Sequence, residues 1–249
     1  MSRRLDQAQV RTRGVAARGV VRGQGVWGGV GGNFPVIEVV GHATNVNGSS
    51  GTATSIDVPV PIGAQPGDVV VAHVGTRGSG TFVTPPGWVK LDEAATGTAN
   101  FHWRVAVLQG VLEDPVPDDL TFELAAANFI VVIMSVLRHT TGVSSVSSNV
   151  TTTSSLNPGA VTVDHPGSLI LVAASNYTTS GSSTWTGSFS AWDEIFNYSR
   201  LQGPADDTGI ARLLLERMEL DDTGSHSAPT LGVPSGPQSG ATHVVVQPA

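Results

Sequence analysis

Short apolar runs separated by clusters of Gly, Pro, Ser and Thr make up most of this chain. The clearest run is P-G-D-V-V-V-A-H-V-G-T-R, Pro66 to Arg77, and P-G-S-L-I-L-V-A-A-S begins one hundred residues later at Pro166. In both, a Pro-Gly turn feeds Val, Leu, Ile and Ala without alternation, the pattern of a strand buried on both faces. A recurring landmark implies a recurring unit. Asn100–Gln109 instead places Phe101, Trp103, Val105 and Val107 at every second position, which predicts a half-buried strand.

Further strands are predicted at Val36–Thr44, Ala53–Val60, Asp68–Thr76, Leu120–Leu124 and Asn128–Arg138. Val143–Thr153, rich in Ser and Thr, reads as an edge strand or crossover. The order then repeats. Ala160–Val163 and Ser168–Ser175 match the earlier pair, and Gly209–Leu220 answers Asn100–Gln109. Ala228–Val233 answers the strand after Asp119, and Ala241–Gln247 answers the closing strand. W-T-G-S-F-S-A-W-D-E echoes F-V-T-P-P-G-W-V-K-L-D-E, setting Trp185 and Trp192 where Phe82 and Trp88 stood. I-A-R-L-L-L-E-R-M-E-L, Ile210–Leu220, is built from helix formers, yet its place in the repeat predicts a strand. The expected fold class is all-β: an antiparallel jelly-roll-like β-sandwich of two similar halves, about 51–139 and 156–249, within a body spanning 35–249.

Composition supports this and adds an arm. The chain holds 30 Gly and 15 Pro among 249 residues and a single lysine, Lys90, which suits many short strands joined by turns. Residues 1–34 carry Arg3, Arg4, Arg11, Arg13, Arg18 and Arg22 against one acid, Asp6, whereas the remainder is strongly acidic. Ser2 would cap a short helix over the first dozen residues. The glycines from Gly14 onward forbid a stable helix beyond it, so an extended basic anchoring arm preceding the body is expected. Opposite charge on arm and body points to docking on something acidic, with those six arginines and Trp27 as the anchoring residues. No aromatic platform accompanies the arginines, so a protein surface suits them better than nucleic acid.

Cysteine is absent, which removes disulfides and thiolate metal sites. No apolar stretch of signal-peptide type opens the chain, and Phe129–Leu137, interrupted only by Ser135, is too short to span a bilayer, so no membrane insertion is expected.

Candidate chemistry is sparse. Gly23-x-Gly25-x-x-Gly28 has the letters of a dinucleotide fingerprint without the strand and helix that would give it meaning. Asp206-Asp207 and Asp221-Asp222 bracket one strand as hairpin turns, with calcium as the alternative reading. The seven histidines show no metal-ligand spacing, although His73 and His102 would be able to meet across a sheet. No nucleophile, paired-carboxylate or phosphate-loop motif stands out, so neither enzymatic activity nor a cofactor or metal is expected. Trp88 and Trp192 read as core anchors, while aromatic stacking on sugar rings remains the alternative for a carbohydrate-binding module used in host-surface adhesion.

At P-G-D-V-V-V-A-H-V, T-P-P-G-W-V-K-L-D-E and F-H-W-R-V-A-V-L-Q the chain resembles a family of tailed-bacteriophage virion structural proteins: minor tail, fibre-tip and head-decoration β-sandwich proteins. The resemblance covers residues 51–139 well and the second half loosely. It implies sandwich modules, commonly homotrimeric, with an N-terminal segment anchoring to other virion proteins of tail or capsid, and it brings no catalytic residues. Virion localisation is the expectation that follows.

Overall fold

Apolar runs become strands here because glycine turns let the chain reverse at their ends. Pro66-Gly67 and Pro86-Gly87 place glycine at φ +90° and +76°, and the turns close through Asp68 N–H to Gln65 O at 3.1 Å and Trp88 N–H to Pro85 O at 3.0 Å. Proline then glycine with positive φ is the chemistry of a type II turn. The counterpart Gly167 has φ +82° and opens the matching strand of the second half.

The computed structural model describes residues 36–46, 53–77, 80–96, 103–178, 184–201, 209–219, 223–233 and 238–249. Every regular element among them is a strand, and all pairings are antiparallel. The first half contains β1 (Glu38–Val46), β2 (Ala53–Pro59), β3 (Val69–Arg77), β4 (Phe82–Val83), β5 (Val89–Thr96), β6 (Trp103–Val111), β7 (Asp119–Asn128) and β8 (Ile130–Arg138). After His139 come β9 (Thr140–Thr151), β10 (Ser155–Leu156), β11 (Ala160–Val163) and β12 (Ser168–Thr178). They are followed by β13 (Asp193–Leu201), β14 (Gly209–Glu219), β15 (Gly224–Ser227), β16 (Leu231–Gly232) and β17 (Gln238–Pro248).

Two five-stranded sheets dominate, in the orders β5-β6-β3-β8-β1 and β13-β14-β12-β17-β9. The strands that follow the two Pro-Gly turns, β3 and β12, are central in each. Flanking strands also match in sequence order. A smaller sheet, β2-β7-β4, covers the outer face of the first; the pairs β10-β16 and β11-β15, with a bridge from Thr186 to Gly232, cover the second.

Side-chain alternation explains the layering. On β3, Val70, Ala72 and Val74 join Phe122, Leu108 and Met134 in a core beneath the three-stranded sheet. Val69 and Val71 point the other way and pack with Leu169, Leu171 and Val244 of the second large sheet. The two large sheets therefore face each other, each covered outside by its own small sheet, and the body has four layers. That differs from the simple sandwich of two halves that the sequence predicts. A strand buried on both faces must have both faces covered, and one partner sheet is not enough.

Predicted strands reappear with shifted ends. Ile210–Leu220 is β14, a strand: its Leu213 and Leu215 enter the outer core while Leu214 enters the inter-sheet core. Most of Val143–Thr153 lies in β9, an edge strand that ends at Thr151, whereas of the strand predicted at Ala228–Val233 only Leu231–Gly232 forms one, β16, the preceding β15 ending at Ser227. All four edge strands of the large sheets, β1, β5, β9 and β13, carry register shifts. Bulges at edges discourage addition of a further strand.

Candidate functional site

Between the large sheets the apolar packing is broken along one line, and this line is the most chemically distinctive place among the described residues. Its centre is His73 on β3, 3% exposed. Its Nδ1 lies 3.1 Å from Thr242 Oγ1 on β17 and its Nε2 lies 2.9 Å from Ser175 Oγ on β12. Burial lowers its pKa to about 3, so the ring is neutral, with one nitrogen donating to a hydroxyl and the other accepting from one. Gly75, two residues on, lets the sheets approach this closely: a Cβ there would sit 2.5 Å from Ser175 Oγ.

The line continues to the β1 side. His42 Nδ1 lies 2.9 Å from Ser135 Oγ, and its Nε2 lies 3.1 Å from Glu216 Oε2 of β14, outside hydrogen-bond geometry. Arg212 Nη1 donates to Thr44 Oγ1 at 3.0 Å, again joining β14 to β1. Serine, histidine and glutamate in this connection have the members of a nucleophilic triad. The geometry differs from that of a working triad. Ser135 is 2% exposed and faces a cavity of about 10 Å³ walled mainly by Val71, Val107, Ile133 and Leu171, and the His42–Glu216 contact lacks the bond that would orient the base.

Two further polar contacts hold the first half together. Asp68, 3% exposed, accepts from Arg138 Nε and Nη2, both at 2.8 Å, and from Gln65 N–H at 2.8 Å. The hydrogen bonds to Asp68 hold the Arg138 pKa above its ordinary value. Arg138 also donates to Gly63 O at 3.0 Å, tying the end of β8 to the β2–β3 connection. In the second half His243, fully buried on the outer face of β17, donates from Nδ1 to Gly159 O at 2.9 Å and stacks edge-on against Trp192 at 6.1 Å. Burial is the main cause that lowers its pKa to about 4.

Several residues singled out from the sequence fall elsewhere. Arg3, Arg4, Arg11, Arg13, Arg18, Arg22 and Trp27 lie outside the described residues, as do His102, Asp206, Asp207, Asp221 and Asp222. Among the described residues no group of three His, Asp or Glu is placed to hold a metal ion. Trp88 packs into the first outer core, edge-on to Phe122 at 5.6 Å, and Trp192 packs into the second. Trp103 and Trp185 are fully buried. What the sequence reading missed is the seam itself. Its signal is visible afterwards: His73, Ser135 and Thr242 are polar interruptions of doubly buried apolar runs. No protein-family model, curated protein or solved structure matches the chain.

Proposed function

We propose that the chain is a tailed-phage virion structural protein, a minor tail, fibre-tip or capsid-decoration component. Residues 1–34 dock to the particle, and the body is a fused pair of similar jelly-roll-like modules. The observation that carries the reading is the pair of large sheets with matching strand order, packed face to face over a shared core and edged by bulged strands. The body's bulged edges discourage growth by strand addition. Such a body suits a copy held at a fixed site in an assembly.

On this reading the arm supplies attachment. Leu5, Val10, Val20, Val21, Val26 and Trp27 fill pockets on other virion proteins, and the arginines pair with carboxylates at the rim. Ordering such a glycine-rich segment costs about 1–2 kcal/mol per residue of backbone, which the partner's contacts must offset. A homotrimer and non-catalytic action belong to the same proposal. Adhesion to a host-surface glycan is less well supported, since Trp88, Trp103, Trp185 and Trp192 are spent on packing within the body.

The test is loading in vitro. Particles prepared without this protein are mixed with the full chain or with a chain lacking residues 1–34. The full chain should load, and the truncated chain should stay in solution with an unchanged melting temperature. Loading of the truncated chain at normal occupancy would overturn the role given to the arm.

A further inference from the structure

The seam between the large sheets is lopsided in a way that matters. Read through the strand registers, the position of His73 in the first sheet corresponds to Ala173 in the second; Ser175 and Thr242 correspond to Gly75 and Ile133. The histidine of one sheet is thus served by hydroxyls that only the other sheet carries. Closing the sheets satisfies His73, Ser175 and Thr242 together, and parting them releases all three to water.

A proton changes this balance. Neutral His73 donates to one hydroxyl and accepts from the other, whereas the imidazolium must donate to both. It then has hydrogen-bond partners but no anion: the cavity beside it is lined by Ser135, Thr242 and apolar side chains from β3, β6, β8, β12, β14 and β17. The charged and titratable groups along the seam are Arg77, on the same face of β3 as His73, His42 on β1, and Glu216 and Arg212 on β14. His243 on β17 faces the opposite side of its sheet, toward Gly159 and Trp192. Burying an unpaired charge is costly, and the open arrangement relieves it.

A route inward also exists. The Glu216 and His42 side chains retain 20% and 11% of their accessibility, His42 is bonded to Ser135, and Ser135 and His73 line the same cavity.

We propose that this seam is an acid-operated release, in which His73 takes up a proton and the two large sheets part while each keeps its own outer sheet. The closed interface resists the proton strongly, which by linkage means that proton uptake favours the open arrangement. The device stands independently of where the protein resides.

The chain lacks cysteine, so single thiols report opening. Ala173→Cys puts a thiol in the seam and Ala174→Cys puts one in the second outer core, on the opposite face of β12. Labelling is followed with 4,4′-dithiodipyridine, which reacts in acid, and each rate is divided by that of the urea-unfolded chain at the same pH. In a His243→Gln background, which removes the buried histidine on the outer face of β17 beside position 174, the normalised rate at position 173 should rise at least tenfold between pH 7.5 and 4.5 and that at 174 should not. Adding His73→Gln, which keeps a hydrogen-bonding side chain without a titrating one, should remove the rise. The unmodified chain gives a second readout: binding of an apolar dye should grow over the same range while far-ultraviolet circular dichroism stays constant. A flat rate at 173, equal rises at both positions, a response surviving His73→Gln, or constant dye binding would each overturn the proposal.

Discussion

Val131 and Val132 are neighbours on β8, both fully buried, yet they serve different cores. Val131 enters the inter-sheet cluster with Trp103 and Val105, whereas Val132 enters the core beneath the three-stranded sheet. Trimming either to Ala removes two carbons, worth about 0.8 kcal/mol each in lost transfer free energy. The cavity left behind raises the cost to about 2–3 kcal/mol where neighbours cannot collapse. Because composition, strand and depth are matched, the two variants differ only in the face they damage. If the large sheets pack together in solution, Val131→Ala and Val132→Ala should destabilise by similar amounts within one cooperative transition. Urea unfolding followed by tryptophan fluorescence and circular dichroism reads this, with unchanged slopes licensing the comparison. A loss below about 0.5 kcal/mol for Val131→Ala beside a full loss for Val132→Ala would refute the four-layer packing, since a water-exposed valine costs little to trim.

Two further outcomes follow from particular contacts. His243 takes a proton near pH 6.5 when unfolded and only near pH 4 when folded. Between those values the unfolded chain holds more protons, so stability is complete above pH 6.5 and falls as pH falls, by at most about 3 kcal/mol from this group; urea midpoints from pH 7 to 4 should show a shallower decline in His243→Gln. A Cβ on Gly110 would fall inside the Trp88 indole, so Gly110→Ala should displace that ring from Phe122, red-shift its emission and cost about 1–3 kcal/mol by overpacking.

The strands were legible because glycine turns and β-branched runs act locally: Pro66-Gly67 and Pro166-Gly167 each announce a central strand. The four layers were not. Continuous burial of Val69–Val74 says that both faces are covered without saying by what, and Val69 and Val70 look alike in sequence although one meets Leu169 and the other Phe122. β14 shows the same limit from the other side. Leu213, Leu214 and Leu215 have good helix propensity, but pairing with both β12 and β13 satisfies their backbone and burial takes both of their faces. The seam was hidden because its partners are far apart in the chain: His73 reaches Ser175 across 102 residues and Thr242 across 169. Gly75 and Gly240 were equally mute. Their value lies in close approach, with a Cβ on Gly240 falling 2.9 Å from Trp103 Cδ1.

A body built into a particle, as proposed, should stay with that particle through harsh washing. Quantitative mass spectrometry of purified virions, washed in high salt to strip loosely bound protein, tests it most directly. Peptides from both halves should appear at a fixed ratio to the major capsid protein, corresponding to few copies for a tail component and hundreds for a decoration. Peptides found only in the host lysate, with none in the washed particles, would contradict the proposal.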